Sequence, residues 1–72
     1  MEHRIIDQQL DLLRDKILLL GGATEAAVNR AMQALVERDS ELAKKVLDED
    51  KIIDQMELEI DQMSIEILAL QQ

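Results

Sequence analysis

The stretch DEDKIIDQMELEID, residues 48–61, holds seven acids in fourteen positions against a single base, Lys51. Four of the acids, Asp50, Asp54, Glu57 and Asp61, recur at steps of four, three and four. On a helix that spacing puts all four carboxylates on one face. Like charges so placed repel by roughly 0.2–0.5 kcal/mol per pair, and a bound cation would reverse the sign. Oxygen-only donors suit hard cations such as iron(III), magnesium or manganese. Without a ligand, the same row is a solvated acidic face or a patch for a basic partner.

Little else in the chain offers chemistry. Cysteine is absent, which removes disulfides and thiolate metal sites. One histidine, His3, sits near the start, one step before Ile6 on an apolar face, where helix ends fray. Met32, Met56 and Met63 fall at apolar positions and read as core fillers rather than a soft-metal site. No nucleophile lies beside a base, so no catalytic constellation is evident. The net charge of −8 and the absence of aromatics argue against a phosphate-backbone ligand and base stacking. They favour partners that are cations or basic surfaces.

The elements that must position the acid row follow from periodicity. There is no proline, and no run approaches the roughly 18 apolar residues of a membrane span. No basic start leads into an apolar run like a secretory signal, so a cytoplasmic location is expected. Leu42, Val46, Glu49, Ile53, Met56, Ile60, Met63, Ile67 and Leu70 alternate steps of four and three. IDQM occurs at 53–56 and again at 60–63, one heptad later. The pattern predicts a second helix over about 40–70 with a coiled-coil-like seam, broken only by Glu49. An unpaired charge there would be costly, which points to a base on the other arm, Arg30, or to a wet bundle end.

The first helix is expected over about 3–38, with Ile6, Leu10, Leu13, Ile17 and Leu20 on one face. The face continues through Gly21, Thr24, Val28, Ala31 and Leu35, with Ala27 and Met32 beside it, so Gly21 reads as inward. Gly21-Gly22 would otherwise end one helix, with Thr24 capping the next. The apolar face survives the crossing and no Asn, Asp or Pro adjoins the pair, which favours continuity. In ERDSELAKK, residues 37–45, Arg38 suits the last turn of the first helix and Asp39 the N-cap of the second. So short a corner allows only an antiparallel hairpin, with arms of roughly 45 Å. Leu12, Leu19, Ile52, Ile65 and Leu68 remain on the flanks, so a third helix or a second chain is needed to cover them.

The run ALVERDSELAKKVLDEDKIIDQMELEIDQMSIEILALQQ resembles the PhoU family of phosphate-signalling regulators. The matching pattern takes in Asp39, Leu42-Ala43, Val46-Leu47-Asp48, Asp50, Ile53-Asp54, Glu57, Ile60 and the closing LALQQ. Upstream, LDLLRDKILLLGGATEAAVNRAMQAL is similar to the family's first helix, which also has a small or glycine-containing segment midway. The resemblance implies an all-α fold: an antiparallel hairpin, residues 1–72, forming two helices of a three-helix repeat or half of a four-helix dimer. The match stops where the family would place a proline and its third helix.

The resemblance further implies a non-enzymatic, cytoplasmic regulator of phosphate uptake and phosphate-responsive signalling. Its partners would be a sensor histidine kinase and the phosphate ABC transporter, with a homo-oligomer expected for this chain. It also implies multinuclear iron or zinc held by acid-xxx-acid motifs, which DKIID at 50–54 and ELEID at 57–61 fit. Asp50, Asp54, Glu57 and Asp61 are therefore the candidate metal ligands. The competing expectation is a purely structural hairpin that assembles through its seams and binds no metal.

Overall fold

Two helices account for the architecture: α1, Glu2–Glu37, and α2, Ser40–Gln71. The computed structural model describes residues 2–71, with side chains from Arg4 onward. The expectation for His3 lies outside the described side chains. The helices pack antiparallel into a hairpin 54 Å long and 15 by 12 Å across. Both are rich in Leu, Ala, Glu and Gln, which lose little side-chain freedom in a helix.

Two residues make the corner, and each closes one helix. Arg38 takes a left-handed conformation, φ 53°. Its N–H donates to the Leu35 carbonyl at 3.4 Å, and the Asp39 N–H donates to Ala34 at 2.9 Å. This pair of bonds is the Schellman ending, with arginine where glycine is usual. Arg38 therefore lies just past α1 rather than in its last turn. Asp39 is the N-cap of α2, as its sequence context suggests: Oδ1 accepts from the Leu42 N–H at 3.0 Å, and its carbonyl accepts from Ala43 at 3.1 Å.

α1 runs unbroken through Gly21-Gly22, and neither glycine has positive φ. Continuity is borne out; the inward placement of Gly21 is not. A Cβ at either glycine would meet nothing within 4 Å.

The seam of α2 follows the sequence pattern as far as Ile67, while Leu70, expected to close it, is exposed. Ile53 and Ile67 are buried; Leu42, Val46, Glu49, Met56, Ile60 and Met63 are half-buried. The seam of α1 is turned by about one position from the expected face. Ile6, Leu13, Leu20 and Ala31 are half-buried as expected; Gln9, Lys16, Ala23, Ala26 and Arg30 are half-buried beside them, and Ala27 and Ala34 are buried. Leu10, Ile17, Thr24, Val28 and Leu35 are exposed instead, as is Met32.

The physical reason is twofold. Alanines at 23, 27 and 34 let the backbones approach closely. The turned register also brings a base to two acids of α2, one in the seam and one beside it. Arg30 Nε donates to Glu49 Oε2 at 2.8 Å, and Lys16 Nζ lies 3.7 Å from Glu59. The long stems of Lys16 and Arg30 fill the space a leucine would take. The pairing of Glu49 with Arg30 is the one expected from the sequence.

The closed core is small: among the described residues its buried apolar members are Ala27, Ala34, Ile53 and Ile67. Leu12, Leu19, Ile52, Ile65 and Leu68 are exposed, as expected. A compact chain of 8.2 kDa would expose about 4,500 Å². This one exposes 5905 Å².

Candidate functional site

Heptad arithmetic fixes what shares each flank of the hairpin. Near the corner, Ala31, Ala34 and Leu35 of α1 and Ala43, Val46 and Leu47 of α2 line one shallow apolar groove of about 300 Å³. Steps of seven back from Ala31 reach Thr24, Ile17 and Leu10; from Leu35 they reach Val28, Gly21 and Arg14. Steps of seven forward from Ala43 reach Asp50 and Glu57, and from Leu47 they reach Asp54, Asp61 and Leu68. The apolar stripe of α1 and the acid row of α2 therefore lie on the same flank. The opposite flank carries Leu19 and Ile52, with Lys16 and Glu59 paired across it.

All four acids of the row are exposed. None of them forms an ion pair with a described residue, while Glu49 and Glu59 are each matched by a base. The row thus stands as uncompensated negative charge beside apolar surface. Among the described residues no group of three or more acids or histidines gathers around one ion position. α2 lines the carboxylates up without folding them into a pocket. As donors they fit a hard cation in kind, offering two acid pairs at i,i+4 spacing, Asp50 with Asp54 and Glu57 with Asp61. A full shell needs oxygens from elsewhere.

The sequence reading found the acid row and Glu49–Arg30. It missed that the leucine stripe of α1 borders the row rather than filling the hairpin core. The signal was present in Gln9, Lys16 and Arg30, which share a heptad row with Ala23. Two of those three meet acids of α2.

The PhoU domain family matches residues 17–72, all of α2 and the greater part of α1. The chain belongs to the PhoU family. Curated PhoU relatives match along its whole length. The "phosphate-specific transport system accessory protein PhoU homolog" of Pseudomonas putida is 41% identical over 100% of this chain and 29% of its own length. The homolog from Pseudomonas aeruginosa is 40% identical over 100% of the chain and 31% of its own. The Escherichia coli PhoU protein is 34% identical over 89% of the chain and 27% of its own length. The chain thus spans less than a third of each of these PhoU proteins. No solved structure matches it.

None of the described helices is long and apolar enough to cross a membrane.

Proposed function

We propose that this hairpin is a non-enzymatic regulatory element of phosphate uptake and phosphate-responsive signalling, working through contacts on its helix faces. The observation that carries the reading is the flank where uncompensated acids border exposed leucines. Such surface offers recognition and no reacting group. The PhoU relatives' description as accessories of phosphate-specific transport supports the process. By family resemblance, the proteins contacted are a phosphate ABC transporter and a sensor histidine kinase, in the cytoplasm.

The acid row adds part of a cation site within this proposal. Asp50, Asp54 and Glu57, with Asp61 a turn further on, supply carboxylate oxygens to iron(III), magnesium, manganese or zinc. Water, a further helix or another chain completes the shell. A bound cation would cancel the repulsion along the row and fix the face for a partner. Self-association of the chain is proposed through the opposite flank, which bears Leu12, Leu19 and Ile52 and is not burdened by the row.

Two measurements test the reading. In a bacterium lacking its own PhoU, the wild-type chain should lower a phosphate-starvation reporter, and neutralising the row should abolish that effect. No effect of the wild type would contradict the regulatory role. Equilibrium dialysis should find weak uptake of manganese or iron(III) that Asp54→Asn and Glu57→Gln remove. Uptake unchanged by both substitutions, or none at all, would leave a metal-free oligomerisation hairpin as the better account.

A further inference from the structure

We draw no further inference here: the strongest candidate, the flank where the exposed apolar stripe of α1 borders the acid row of α2, belongs to a chain spanning less than a third of its PhoU relatives, and nothing in the structure shows what covers it.

Discussion

Replacing Ile53 by alanine should cost far more than replacing Leu35, although both are large apolar residues on faces with seam-like spacing. Ile53 is 7% exposed and lies on the side of α2 that meets Ala23 and Arg30. The substitution removes three carbons, and at about 0.8 kcal/mol each the lost transfer energy alone is roughly 2 kcal/mol. The hairpin is open along its flanks, so neighbours can close part of the gap, and the cavity adds little. A total of about 2–3 kcal/mol is expected, the low end for buried Ile→Ala changes. Leu35 is 75% exposed, and its truncation should stay within about 0.5 kcal/mol. Ile60, only half-buried, should fall between the two. Urea melts followed by circular dichroism, at one fixed protein concentration so that association does not enter, give all three values. A Leu35→Ala loss equal to that of Ile53→Ala would refute the turned seam of α1. A loss under 1 kcal/mol for Ile53→Ala would refute the seam of α2.

Gly21→Ala and Gly22→Ala should each stabilise the chain, by up to about 1 kcal/mol in the same melts, because both face open space inside a helix; a loss at Gly21 would return it to an inward place. At the corner, Arg38→Gly should gain about 1 kcal/mol by relieving the left-handed conformation, and Asp39→Ala should cost about 1 kcal/mol with its cap. A loss for Arg38→Gly would mean that the arginine side chain matters more than its backbone. A double-mutant cycle on Arg30 and Glu49 should give a coupling of about 1 kcal/mol, since the pair is only partly shielded from water; zero coupling would remove it as a determinant of register. Sedimentation equilibrium at micromolar concentration should find a dimer or larger species, and a well-folded monomer would contradict the proposed self-association.

α2 could be read from the sequence almost completely because its inward positions, Glu49 apart, carry large apolar side chains. Its heptad is even repeated, as IDQM at 53–56 and 60–63. Asp39 was legible because a carboxylate just before a helical run has one obvious use, and Glu49 because a seam charge demands a mate. α1 misled for a definite reason. A helix with two apolar neighbours carries two stripes, and hydrophobic periodicity finds the stronger one. Here the stronger stripe, Leu10, Ile17, Val28 and Leu35, belongs to the uncovered flank. The seam itself keeps only Ile6, Leu13 and Leu20 as large apolar residues and is otherwise written in alanine and in long polar residues that score as surface. The corner was obscured similarly: Arg38 takes a conformation for which glycine is the usual sign. The acid row was visible as a row, but which surface it borders depended on the orientation of α1.

That orientation decides what the acid flank presents, and methyl–methyl NOEs in the isotopically labelled chain measure it most directly. Mixing labelled with unlabelled chain separates contacts within one molecule from those between two. Intramolecular NOEs should link Ala23 to Ile53 and Ala34 to Val46, pairs that line the same grooves between the helices. Ile17 and Val28 should show none to Ile53 or Ile60. NOEs from Ile17 and Val28 into that seam, with Ala23 and Ala34 silent, would bury the leucine stripe inside the hairpin and contradict the turned seam of α1.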